Sequence, residues 1–162
     1  MLVHNKGQVI VPTGGGKTMC MIKDAINTFE QLDGYKTIIA VVAPRILLAE
    51  QLCSEFLEHI DDVAVAHCHS GETHHFSTTN AAILHNWSAQ AYRKQLIFTT
   101  YHSLKRLQQA GIKVHTIYFD EAHNSVQRNF FPPTEHFSAE SDRCYFFTAT
   151  PKHSATVFKP GM

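Results

Sequence analysis

Charge is scarce in this sequence and what there is cancels: among 162 residues, 14 Lys and Arg face 14 Asp and Glu. That balance excludes the strongly basic footprint of many nucleic-acid binders. It leaves room for a local phosphate track, because backbone N–H groups and hydroxyls position phosphates without excess charge. Long hydrophobic runs are missing too. The longest, near Ile38 to Ala43, is far short of the roughly 20 residues that span a bilayer. Met1 to Lys6 carries one lysine and no apolar region of export-signal length behind it. No membrane partner is expected, and the expected compartment is the cytoplasm, or the nucleus of a eukaryotic cell. Cys20, Cys53, Cys68 and Cys144 make neither CxxC pairs nor a disulfide framework, which suits reduced core thiols. His67, Cys68, His69, His74 and His75 cluster without any recognised zinc spacing, so no structural metal is expected. There is no repeat, low-complexity tract or linker, and the length fits one domain.

Short apolar, β-branched runs recur at Gln8 to Val11, Thr37 to Val42, Val63 to His67, Gln95 to Thr99, Val114 to Phe119 and Cys144 to Thr148. They read as strands. Several are apolar almost continuously, as in a sheet covered on both faces. Met19, Ile22, Ile26 and Phe29 recur at helical steps, as do Leu48, Leu52 and Phe56. A third helix is predicted over Thr79 to Tyr92, with Leu84, Trp87 and Ala91 on one face and Ser77 or Thr78 as cap. Trp87 and Cys144 read as core, and Pro132-Pro133 as a local breaker. Alternating strands and helices predict an α/β layered fold around a mainly parallel sheet.

Gln8 to Val11 leads into Pro12-Thr13-Gly14-Gly15-Gly16-Lys17-Thr18, and a helical stripe follows at once. Strand, glycine-rich loop and helix in this order form an anion nest, since glycines let backbone N–H groups approach phosphate oxygens closely. Lys17 can neutralise the β- and γ-phosphates of ATP, and the Thr18 hydroxyl can help hold Mg²⁺. The general phosphate-loop pattern asks for glycine at position 11, where this chain has Val11. Further on, Ile117-Tyr118-Phe119 runs into Asp120-Glu121-Ala122-His123. Two carboxylates at the C-terminal end of a buried strand suit two tasks, one holding hydrated Mg²⁺ and the other orienting the attacking water.

Together, Pro12 to Thr18 and Asp120 to His123 resemble motifs I and II of superfamily 2 helicases and translocases, the latter of DEAH type. Three further stretches agree: Ala43-Pro44-Arg45-Ile46-Leu47-Leu48-Ala49-Glu50-Gln51 resembles motif Ia, Thr99-Thr100-Tyr101-His102-Ser103-Leu104 motif Ib, and Thr148-Ala149-Thr150-Pro151 motif III. The form of motif Ia is most similar to the restriction-enzyme-like and UvrB-like branch. The resemblance implies a three-layer RecA-like P-loop NTPase domain, with the motif III strand between those carrying the phosphate loop and the acidic pair. It also implies that Pro12 to Thr18 bind ATP, that Thr18 and Asp120 hold Mg²⁺, and that Lys17, Asp120 and Glu121 are catalytic. His123, Thr148 and Thr150 would couple hydrolysis to movement, while Arg45, Thr99 and Thr100 would contact single-stranded or duplex nucleic acid, with DNA favoured.

Seven residues precede Gln8, too few for the adenine-recognising segment of that family, and eleven follow Pro151, too few for motifs IV to VI. The chain is therefore expected to be a first RecA-like domain over residues 1–162, truncated at both ends, without the second domain and its finger arginine, and nearly inactive alone. Two other functions stay open on sequence: a phosphate-loop ATPase that acts on no nucleic acid, and a non-enzymatic nucleotide-responsive binding or scaffolding module.

Overall fold

The computed structural model describes residues 6–10, 16–32, 35–69, 76–89, 94–121 and 131–148. In chain order these form β1 (Lys6–Ile10), α1 (Gly16–Gln31), β2 (Thr37–Ala43), α2 (Ile46–His59), β3 (Ala64–Cys68), β4 (Phe76–Ser77), α3 (Ala81–Ser88), β5 (Lys94–Thr100), α4 (Leu104–Gln109), β6 (Thr116–Phe119), α5 (Phe131–Glu140) and β7 (Arg143–Thr148). Among the described residues the strands make one sheet in the order β1-β7-β6-β2-β5-β3-β4. Every pairing in it is parallel. β7, which ends at Thr148, lies between β1 and β6 as the resemblance implies.

The continuous apolar runs are explained by burial on both faces. Side chains alternate across a strand, so Ala40 and Val42 of β2 enter one core with Leu84 and Trp87 of α3, Leu104 and Leu107 of α4, and Phe137 of α5. Ile39, Val41 and Ala43 enter the other, with Met21, Ile22, Ala25 and Phe29 of α1 and Leu52, Cys53 and Phe56 of α2. Helices thus cover the sheet on both sides, giving the three-layer α/β fold of a RecA-like core. Trp87 and Cys144 are core residues. Within α1 the buried face is turned from the expected stripe: Met19 is 36% exposed, while Met21 and Ala25 are buried.

Two local expectations are corrected. The cap of α3 is neither Ser77 nor Thr78 but Asn80, whose side chain accepts the Ile83 N–H at 3.1 Å. Thr78 supports it by accepting the Asn80 N–H at 3.0 Å. Pro132 and Pro133 do not break structure; they lie in the first turn of α5. There a proline forfeits no intrahelical N–H bond, and its fixed φ suits the helix. The short helix α4 went unread because six residues are too few to display a period. It ends where Gly111 adopts φ +69°, the left-handed conformation that suits glycine beyond a helix.

A candidate nucleotide site at the C-terminal edge of the sheet

Parallel pairing brings the C-terminal ends of distant strands to one edge. Ala43 pairs with Thr100, Val42 with Phe119, and Ile10 with Thr148. α1 starts at this edge with Gly16, so Lys17 and Thr18 occupy its first turn, where backbone N–H groups lack intrahelical partners. Asp120 follows β6 directly, its N–H donating to the Val42 carbonyl at 2.8 Å. The Lys17 ammonium then meets both acids, with Nζ 2.8 Å from Asp120 Oδ1 and 2.7 Å from Glu121 Oε1. Residues 103 and 104 positions apart in sequence become one ionic cluster.

Burial differs within the cluster. The Asp120 side chain is 1% exposed and that of Glu121 31%, so water reaches the second acid and not the first. Burial lifts the Asp120 carboxyl above its usual range, and the Lys17 ammonium only partly offsets this. For Lys17, burial pulls the other way, but hydrogen bonds and charge from Asp120 and Glu121 outweigh it and raise the pKa. The lysine is a firm cation. Among the described residues Asp120 Oδ1 has no partner besides the Lys17 ammonium. A buried carboxylate oxygen with a lone counter-charge fits a divalent cation, and among the described residues Thr18 on α1 is the neighbouring hydroxyl that the sequence assigns to the same ion. Glu121 has φ +50°, a left-handed conformation uncommon for a residue with a side chain.

The other expected residues are placed unequally. Arg45 is exposed immediately before α2. Thr99 and Thr100 are buried: the Thr99 hydroxyl donates to the Cys68 carbonyl at 2.8 Å, and Thr100 Oγ1 accepts the Ser103 N–H at 3.2 Å. Thr99 ties β5 to β3, and Thr100 holds the turn after β5. Thr148 ends β7 beside the end of β1. Pro12, Thr13, Gly14, Gly15, His123 and Thr150 lie outside the described residues, as do His74 and His75. His67 and His69 contact each other at 3.0 Å. Among the described residues no group of three or more His, Cys, Asp or Glu side chains could hold a metal ion, and no helix is long and apolar enough to cross a membrane.

Sequence reasoning missed a second buried cluster that ties α1 to the site's strands. Asp24, fully buried on α1, receives Arg143 of β7 through both guanidinium nitrogens, NH1 to Oδ2 at 3.1 Å and NH2 to Oδ1 at 2.9 Å. Tyr118 of β6 donates its hydroxyl to Asp24 as well. Arg143 also donates to Thr28 Oγ1 and to the Tyr145 hydroxyl, both at 2.7 Å. One signal was available. Asp24 sits among Met21, Ile22, Ala25 and Phe29 on the apolar face, where an unpaired carboxylate would be costly.

Comparison with known proteins agrees with this geometry. The family model described as Type III restriction enzyme, res subunit, matches residues 3–153. Among solved structures, a nuclease-deletion mutant of the Type ISP restriction-modification enzyme LlaGI, in complex with a DNA substrate mimic, matches at TM-score 0.78 and 21% identity, covering 98% of this chain and 17% of that one. The Hef helicase domain of Pyrococcus furiosus matches at 0.68 and 23%, covering 91% of this chain and 31% of that one. The SWI2/SNF2 ATPase core of Sulfolobus solfataricus in complex with dsDNA matches at 0.58 and 20%, covering 90% and 28%. At such identities these likenesses establish the fold, and the chain spans less than a third of each. No curated protein matches. The sheet order, the meeting of α1 with the end of β6 and the family match over nearly the whole chain lead to one assignment: this chain belongs to the Type III restriction enzyme res subunit family and has the superfamily 2 helicase-like RecA fold of restriction-enzyme and translocase ATPases.

Proposed function

We propose that this chain is the ATP-binding core of a nucleic-acid-dependent ATPase of the helicase and translocase class, acting on DNA. The observation that carries the proposal is the Lys17 ammonium held between Asp120 and Glu121 at the N-terminus of α1. ATP phosphates entering beside Gly16 compete for that ammonium, and Lys17 transfers from the carboxylates to the β- and γ-phosphate oxygens. Thr18 and Asp120 would hold Mg²⁺, which supplies charge neutralisation at the phosphates when bound. Glu121, released from Lys17 and open to solvent, orients the attacking water and accepts its proton. The loop residues Thr13, Gly14, Gly15 and Gly16 cradle the phosphates through their N–H groups, and Pro12, which has no N–H, leads the chain into the loop.

Thr148 and Thr150, with His123, transmit nucleotide state from the strand between β1 and β6 to a second RecA-like domain. That partner supplies a finger arginine, a contribution of roughly 10³ to 10⁵ in rate. At the far end of the same edge, Arg45 meets nucleic-acid phosphates directly, and Thr100 shapes the turn that presents exposed His102 beside it. The proteins with this fold include one solved with a DNA substrate mimic and one with dsDNA, which supports DNA as the substrate strand.

Fluorescence anisotropy of labelled single-stranded DNA across a salt series tests the nucleic-acid half of the proposal. Binding should weaken as salt rises, as phosphate contacts require, and Arg45→Ala should flatten the slope by about one contact. Absence of binding at every salt concentration favours an ATPase that acts on no nucleic acid. In a polypeptide containing both RecA-like domains, Glu121→Gln should bind ATP but lose turnover by about 10² or more. Unimpaired turnover there removes Glu121 as the base.

A further inference from the structure

We infer that Tyr101 is a positioning residue for the acidic pair, its buried hydroxyl holding the Asp120–Glu121 peptide in the orientation that aims both carboxylates at the nucleotide edge. Tyr101 is 1% exposed, and its hydroxyl donates to the Asp120 carbonyl at 2.8 Å. That carbonyl belongs to the peptide that joins the two acids. The residue after it, Glu121, has φ +50°, a left-handed conformation that is costly for a side-chain-bearing residue and persists only where its surroundings impose it. Tyr101 is that surrounding. Its ring stacks on Phe119 at 5.9 Å, and its own N–H donates to the Ala43 carbonyl at 3.1 Å. One residue thereby joins the ends of β2, β5 and β6.

The inference rests on the proposed ATP site and makes a claim that site alone does not: removal of one oxygen, remote from any ligand, alters metal-dependent binding. Tyr101→Phe keeps the ring and its packing but lets the peptide rotate, relaxing Glu121 and shifting the Asp120 carboxylate. The test is calorimetric titration of ATP into the 162-residue chain, in Mg²⁺ and in excess EDTA, with melting temperature recorded alongside. In Tyr101→Phe the affinity gained from Mg²⁺ should fall about five- to tenfold, the scale of one lost hydrogen bond. Affinity in EDTA should stay within about twofold of the parent. In an Asp120→Asn background Tyr101→Phe should change the Mg²⁺ gain no further, because the hydroxyl acts through Asp120. An unchanged Mg²⁺ gain overturns the inference. So does a parallel loss in Mg²⁺ and EDTA that tracks a lower melting temperature, or full additivity with Asp120→Asn. If the parent binds no ATP in either condition, the proposed function falls, and this inference with it.

Discussion

Asp24 and Arg143 show how a single buried charge constrains a site it never touches. The Asp24 side chain is 0% exposed and that of Arg143 15%, so truncating one partner strands the other in a dry interior. Asp24→Asn or Arg143→Met should each cost about 3–5 kcal/mol. For a domain of this size that lowers the melting temperature by about 10 °C. Replacing both together, Asp24→Leu with Arg143→Met, should recover most of the loss, because no uncompensated charge remains. A double variant as unstable as the sum of the singles would mean that the two side chains act independently, and would contradict the pairing account. Titration should show at the same scale. Burial lowers the pKa of His69 and of His115, so each contributes stability that is complete above the ordinary value near 6.5 and is lost as pH falls through the depressed one. Asp120, raised, acts with the opposite sign and only in the carboxylate range. On the alkaline side burial pushes Cys53 up to about 12 and Cys68 to about 11. Their contribution is complete below the ordinary thiol range and is lost as pH climbs toward those values. Urea midpoints should therefore plateau between about pH 7 and 9 and fall on both sides. A midpoint unchanged from pH 7 to 5 would contradict the histidine assignment.

Elements differ in how plainly the sequence announces them. The buried strands were legible because two covered faces demand continuous apolar runs, and α1 and α2 because each repeats its stripe over several turns. β4, with two residues, and α4, with six, carry no period to read. α5 was masked by Pro132-Pro133, whose helical role depends on falling in a first turn. In the site, Lys17, Thr18, Asp120 and Glu121 were legible from local chemistry beside a strand end. The bonds from Tyr101 and Arg143 were not, since their partners lie 19 and 119 residues away and only folding brings them into contact. The cap of α3 is the simplest element to test. Asn80→Ala removes the acceptor for Ile83 N–H and should cost about 1 kcal/mol, or about 2–4 °C of melting temperature. No change would assign the cap to Thr78, as the sequence first suggests.

For the whole molecule, the sheet order explains why residues scattered from Lys17 to Thr148 can act together. With β7 between β1 and β6, the helix that follows β1 and the acids that follow β6 flank the strand read as the coupling element. The fold thus gathers on one edge the residues proposed for phosphate binding, metal binding and water activation. It leaves the finger arginine unfilled among the described residues: Arg143 is bound to Asp24, while Arg45 and Arg106 are exposed on α2's approach and on α4. A polypeptide of these 162 residues should therefore hydrolyse ATP slowly, on the order of 10⁻² per second or less even with single-stranded DNA present. Turnover near 1 per second, abolished by Lys17→Ala, would mean that an arginine is supplied locally or by self-association. Beneath that expectation lies the central claim, that Lys17 between Asp120 and Glu121 marks a nucleotide site. Calorimetric titration of Mg²⁺-ATP into the parent chain and into Lys17→Ala tests it most directly. The expected result is saturable binding to the parent and affinity at least about tenfold weaker in the variant, the loss of a charge-assisted phosphate contact, with both chains equally folded by circular dichroism. Equal affinity in the two would contradict it.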